Sequence, residues 1–165
     1  MKKDVMIVTG AGQIGMAIGR RVGFGKKIVL GDKNMKNAET IAKTMNDAGF
    51  DVVPFEMDLS SRESILAIIA KAQEYGEIKY LVNVAGVSPS QAPVEAILKV
   101  DLYGTAVLLE EIGKVIAEGG AGVTISSQSG WRTVLDGLAI RGNDCQNKQD
   151  SVRSTVNDWL AELGY

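Results

Sequence analysis

Up to about residue 130 the chain alternates between two apolar rhythms: short unbroken runs, and segments whose apolar positions recur every three or four residues. The first run, residues 5–8 (VMIV), breaks at Thr9-Gly10; Ile14, Ala17, Ile18 and Val22 follow at helical spacing and stop at Gly23 and Gly25. Residues 27–30 read as a second strand ending at Gly31-Asp32. Ala38, Ile41, Ala42 and Met45 then form a helical stripe, with Asn34 or Asn37 placed to cap it and Gly49 to stop it. Residues 51–57 read as a third strand, which Pro54 puts near a sheet edge. Ser60 with Glu63 has the form of a capping box for a helix carrying Ile65, Leu66, Ile68, Ile69 and Ala72, ended by Gly76. A fourth strand spans 78–84, Pro89 and Pro93 punctuate a loop, and a long helical pattern runs from 94 to about 117 before Gly119-Gly120. The fifth strand, 122–125, runs into Ser126-Ser127-Gln128-Ser129-Gly130.

Strands separated by helices cannot be joined as hairpins, so this alternation predicts an α/β fold with a doubly wound parallel sheet and right-handed crossovers. Ligands of such sheets bind beyond the carboxyl ends of the strands, where the winding reverses. The loops at Gly10, Asp32, Asp58, Asn83 and Ser127 should therefore face one crevice.

The first of those loops carries glycines at 10, 12 and 15 between a strand and a helix. Gly10 permits a tight turn, Gly12 lets backbone come against a diphosphate with no Cβ between, and Gly15 lets helix and strand pack closely. A diphosphate there would meet unpaired N–H groups at the positive end of the helix dipole. The acidic residue expected about 20 positions further on is Asp32. A carboxylate at that point accepts hydrogen bonds from the adenosine ribose and repels a 2′-phosphate, favouring NAD over NADP. Lys33 beside it counts in the opposite direction, and Asp32 read alone could be an ordinary loop carboxylate.

Composition narrows the rest. With 165 residues, 45% hydrophobic, 23% charged and a net charge of −2, the chain has the make-up of one ordinary globular domain and no basic excess for nucleic acid. The apolar run after Lys2-Lys3 is too short for a signal peptide, and no stretch approaches the roughly 18 apolar residues of a membrane span. A single cysteine, Cys145, fits a reducing cytoplasm. The absence of histidine excludes Ser-His-Asp catalysis and an imidazole base, leaving acid–base work to tyrosine, lysine or carboxylates.

Five segments in order resemble the short-chain dehydrogenase/reductase family. TGAGQIG at 9–15 is similar to its cofactor turn, with Ile14 where the commoner form has glycine. MDLSS at 57–61 resembles the segment whose Asp, here Asp58, contacts adenine. LVNVAG at 81–86 resembles the NNAG segment, with Asn83 as its first Asn and Val84 replacing the second. VDLYG at 100–104 puts Asp101 where the family has a catalytic Asn, and TISSQSG at 124–130 puts Ser127 at the substrate-orienting serine. The likeness covers roughly residues 4–130, and bacterial 3α-hydroxysteroid dehydrogenases and carbonyl-reductase-like members look closest. It implies a Rossmann-like sheet of order 3-2-1-4-5 and a nicotinamide cofactor held by Gly10, Gly12, Gln13, Ile14, Gly15, Asp32, Asp58, Leu59, Asn83, Ala85 and Gly86. It also implies hydride transfer to or from a small carbonyl or alcohol substrate, with Ser127 hydrogen-bonding the carbonyl oxygen, and a homo-oligomer through the 94–117 helix. Ser127 could equally satisfy backbone groups in a turn, and Asp101 could be a helix-surface carboxylate.

The family's Tyr-x-x-x-Lys pair is not found after Ser127, where the only tyrosine is Tyr165. Tyr75 and Lys79 have the spacing, but Gly76 separates them and they precede the serine. From Trp131 the pattern changes: 141–150 reads as a polar loop, and Val152, Val156, Trp159, Leu160 and Leu163 as a terminal amphipathic helix. The expectation is a cofactor-binding unit over 1–130 with a divergent tail over 131–165, truncated relative to the family's fold by a shifted reading frame or a lost half. Three functions follow: an NAD-dependent oxidoreductase, a non-catalytic dinucleotide-binding or regulatory module, and a nonfunctional fragment.

Overall fold

The computed structural model describes residues 3–127. The chain divides into one compact unit over residues 1–125 and a second over 126–165, of which Ser126 and Ser127 are described. The tail helix expected after residue 150 lies outside the described residues.

In the first unit β1 (Lys3–Thr9), α1 (Gln13–Val22), β2 (Lys27–Asp32), α2 (Met35–Asp47), β3 (Asp51–Glu56), α3 (Arg62–Tyr75) and β4 (Gly76–Asn83) alternate strictly. They are followed by α4 (Val94–Ile97), a π-helical segment (Leu98–Gly104), α5 (Thr105–Gly113) and β5 (Ala121–Thr124). The strands form one sheet in the order β3-β2-β1-β4-β5 with every pairing parallel, the topology expected from the alternation. Pro54 sits on β3, an edge strand, where its missing N–H costs no ladder bond in the sheet interior.

Helices cover both faces, so the central strands are buried on both sides and alternate residues feed two cores. Val5 and Ile7 join Val29, Leu81, Ile65 and Ile68 of α3 and Leu108 and Ile112 of α5. Met6 and Val8 join Ile28, Leu30 and Val82 with Ala38, Ile41 and Met45 of α2. Arg62 adds a polar clamp between α3 and α5, pairing with Glu110 at 2.8 Å and with Glu111.

Two helix boundaries differ from expectation. Helix α3 is capped by Ser61, whose side chain accepts from the Ser64 amide, and not by Ser60 with Glu63. Ser60 is taken by Asp58, whose Oδ1 accepts both its amide (2.9 Å) and its hydroxyl (2.7 Å), so the helix starts one residue later. The helix expected from 94 to about 117 contains the π-helical segment and ends at Gly113. It stops early because the chain turns toward the sheet, where the Ala117 amide donates to the Ile78 carbonyl at 2.9 Å. The π-helical segment ends at Gly104, whose backbone presses on the Leu59 carbonyl so closely that a Cβ would not fit. Among the described residues no helix is long and apolar enough to cross a membrane.

Candidate functional site

The turn after β1 rests on the turn after β4. Gly10 has φ +88°, a conformation that L side chains rarely adopt, and its amide donates to the Gly31 carbonyl at 2.7 Å. A Cβ at Gly10 would lie 2.8 Å from the Ala85 nitrogen, so the two turns meet backbone to backbone. Gly15, in the first turn of α1, packs under Val84 and Val8 with no room for a side chain. Gly12 is different: it is the N-cap of α1, extended at φ −95°, and a Cβ there would meet nothing within 4 Å. No side chain caps α1, so its first amides have no partner within the helix, while Arg20 and Arg21 complement the dipole at the far end.

Asp32 and Asp58, at the end of β2 and just past β3, are both engaged. Asp32, at the end of β2, accepts from the Ala11 amide (Oδ2, 2.8 Å), the Asn34 amide (Oδ1, 2.8 Å) and Asn37 Nδ2 (Oδ2, 3.2 Å). Asp58 gives Oδ1 to Ser60 and Oδ2 to Lys33, whose ammonium is 2.7 Å away. Burial pushes the Asp58 carboxyl up, but the Lys33 ammonium and the Ser60 hydroxyl and amide outweigh it and hold the group below its ordinary value.

Between these loops lies a cavity of about 330 Å³, at the lower end of the usual range for ligand pockets. Of the residues expected at the site, Gly10, Gly12, Asp32, Asp58, Leu59, Ala85 and Gly86 line it. Gln13 and Ile14 are exposed on the first turn of α1, outside the lining, and Gly15 is buried beneath it. Asn83 is buried under the cavity and ties three elements together: its Oδ1 accepts from Thr9 Oγ1 at 2.5 Å and its Nδ2 donates to Thr105 Oγ1 at 3.3 Å. Asp101, in the π-helical segment, accepts from the Val87 amide at 3.0 Å and so holds the loop after β4. Tyr75 ends α3 and Lys79 lies in β4, so they share no helical face. Ser127 is exposed and in neither helix nor strand, three residues past β5.

Sequence reasoning missed Lys33 and Asn37 as cavity walls, together with Met57 and Val100. Lys33 stands visibly beside Asp32, and Asn37 offers only a possible cap to local pattern; its contact with the glycine turn is made across 26 residues of sequence.

Residues 4–138 match the family model described as short chain dehydrogenase. The chain belongs to this family. It is 38% identical over 136 residues to the short-chain dehydrogenase/reductase bsc3 of Alternaria brassicicola, a match covering 82% of this chain and 50% of that protein. It is 33% identical over 141 residues to D-threitol dehydrogenase of Mycolicibacterium smegmatis, covering 79% and 54%. A short chain dehydrogenase from Mycobacterium smegmatis superimposes with a TM-score of 0.71 at 25% identity, over 81% of this chain and 62% of that one. An NAD+-bound xylitol dehydrogenase shares the fold with a TM-score of 0.68 at 22% identity, over 79% of this chain and 55% of that one. The chain spans about half the length of the curated relatives it matches. Membership makes it part of an oxidoreductase family whose α/β sheet binds nicotinamide dinucleotides.

Proposed function

We propose that this chain binds NAD in the cavity between the glycine turn and the β4 loop, and that it serves hydride transfer between the nicotinamide and a small carbonyl or alcohol substrate. The observation that carries the proposal is the open face of Gly12 on a helix start with uncapped amides, in a cavity that Asp32 also lines. A dianionic linker needs such a place: backbone N–H groups, the positive end of a helix dipole and no Cβ in the way. In this assignment Gly10 and Gly15 shape the turn, and the amides of Gln13, Ile14 and Gly15 face the diphosphate. Asp32 accepts a ribose hydroxyl, and Asp58 with Leu59, Ala85 and Gly86 surrounds the adenine. Asn83 holds the floor through Thr9 and Thr105. The bound cofactor would supply or accept hydride; Ser127 is assigned to hold the substrate oxygen as charge develops on it. A carboxylate at the ribose end disfavours a 2′-phosphate, so NAD is preferred to NADP.

A second reading is supported by the tyrosines. Only Tyr75 of the four has a lysine four positions on, and that pair is divided between α3 and β4. That leaves residues 3–127 with no Tyr-Lys pair of this spacing on one helix, which favours a dinucleotide-binding module. Calorimetric titration with NAD and NADP, followed by NADH consumption over a panel of ketones, separates the readings. Turnover that disappears in Ser127→Ala supports the enzyme, tight NAD binding without turnover supports the module, and no binding by folded protein removes both.

A further inference from the structure

We propose that Asn37 is the positioning residue of the dinucleotide site, holding the Asp32 carboxylate and the glycine turn in one arrangement through its side-chain amide. The inference rests on the NAD-binding reading above and adds a residue to it. Asn37 stands in the first turn of α2 and lines the cavity. Its Nδ2 donates to the Ala11 carbonyl at 3.0 Å and to Asp32 Oδ2 at 3.2 Å.

Those two oxygens belong to different loops, and both are acceptors. Facing each other without a donor between them they would repel. The Ala11 amide already donates to Asp32 Oδ2 at 2.8 Å, and the two hydrogens of the Asn37 amide complete the bridge by serving the carbonyl and the carboxylate together. The capping bond from Asn34, whose side chain accepts the Asn37 amide at 3.3 Å, fixes the backbone from which the side chain reaches. With Oδ2 occupied twice, Oδ1 takes only the Asn34 amide and keeps an acceptor position for one ribose hydroxyl. Asn37 thus decides which carboxylate oxygen the ligand meets and keeps the turn shaped for the diphosphate before the ligand arrives.

The side chain that suits this role must donate twice from a short stem. Aspartate has the same shape and donates nothing, which makes Asn37→Asp the decisive variant. It sets a second carboxylate against Asp32 Oδ2 and the Ala11 carbonyl. Two carboxyl groups so placed share one proton at lower pH, and the shared proton restores a donor in the bridge. The other charged groups lining the cavity are Lys33 and Asp58, which are paired with each other, and Lys36 precedes Asn37 on α2. The chain has no histidine to titrate in the same range.

The test is calorimetric titration of NAD into the wild-type chain, Asn37→Ala and Asn37→Asp at pH 8 and pH 5, with far-UV circular dichroism to confirm folding. Loss of the neutral bridge in Asn37→Ala is expected to weaken NAD by roughly 3- to 10-fold, equally at both pH values. Asn37→Asp is expected to lose more than about 10-fold at pH 8 and to recover most of it at pH 5. A purely structural role would change the melting temperature of Asn37→Asp without making its affinity depend on pH. Equal binding by the wild type and both variants overturns the positioning role and leaves the NAD site standing, as does a loss in Asn37→Asp that is the same at both pH values. Absence of NAD binding by the folded wild type overturns the site and the positioning role together. Should Asn37→Asp not fold, unchanged affinity in Asn37→Ala overturns the proposal and a pH-independent loss supports it.

Discussion

Gly10 and Gly12 stand two residues apart in the same turn, and the structure assigns them opposite penalties for the same added methyl. At Gly10 an alanine would have to hold φ +88°, which costs about 1–2 kcal/mol for an L side chain. Its Cβ would also sit 2.8 Å from the Ala85 nitrogen and 3.0 Å from the Ala85 Cα, backbone atoms that cannot swing aside. Overpacking of that kind adds about 1–3 kcal/mol, so Gly10→Ala should lose about 2–5 kcal/mol of stability. At Gly12 the backbone is extended and the Cβ would enter open space. Restricting the unfolded chain gains about 0.4–1 kcal/mol, and replacing glycine by alanine at an N-cap loses a similar amount, so Gly12→Ala should leave stability within about 0.5 kcal/mol. Its effect falls on the ligand. A methyl group between the diphosphate and the α1 amides removes one or more charge-assisted hydrogen bonds of about 1.5–3 kcal/mol each, a loss of roughly 10- to 100-fold in NAD affinity. Urea unfolding followed by circular dichroism measures the first quantity and calorimetry the second. The reasoning fails if Gly12→Ala is destabilised as much as Gly10→Ala, or if it binds NAD as the wild type does.

Two further outcomes follow from the polar groups around the cavity. Lys33→Met should raise the Asp58 carboxyl toward its ordinary value, measured by carboxyl-resolved NMR titration, because the ammonium 2.7 Å away is the main group holding it down. A depressed carboxyl stabilises the fold above its unfolded value and loses that contribution as pH falls through the folded one. The wild type should therefore lose more stability than Lys33→Met on acidification near and below pH 4, and identical acid profiles would count against the pairing. Asn83→Ala should cost about 1–3 kcal/mol in urea unfolding, since it strips partners from Thr9 and Thr105 in a buried network; a cost under about 0.5 kcal/mol would show that the network holds nothing.

The alternation of strands and helices, the parallel sheet and the glycine turn were legible because each is written in local spacing. Val5 and Ile7 against Met6 and Val8 already tell of two buried faces, and Pro54 of an edge. What escaped was decided between distant residues. Ser60 has the look of a cap, but the Asp58 carboxylate claims its amide and hydroxyl first. Nothing near residue 104 announces the π-helical segment, whose last residue lies on the carbonyl of Leu59. Asp32 stands out in the sequence as a carboxylate for a ligand; that its Oδ2 is shared by Ala11 and Asn37 while Oδ1 takes the Asn34 amide depends on another turn and another element. Local pattern finds the carboxylate, and tertiary contact orients it.

The contact between Gly104 and Leu59 has a mechanical side. Side chains act as cushions, because they change rotamer when a neighbour leans on them; here one main chain rests on another, and Leu59 is also part of the cavity wall. Interiors packed this tightly are nearly incompressible. A change in the 98–104 stretch therefore bears directly on the backbone at Leu59.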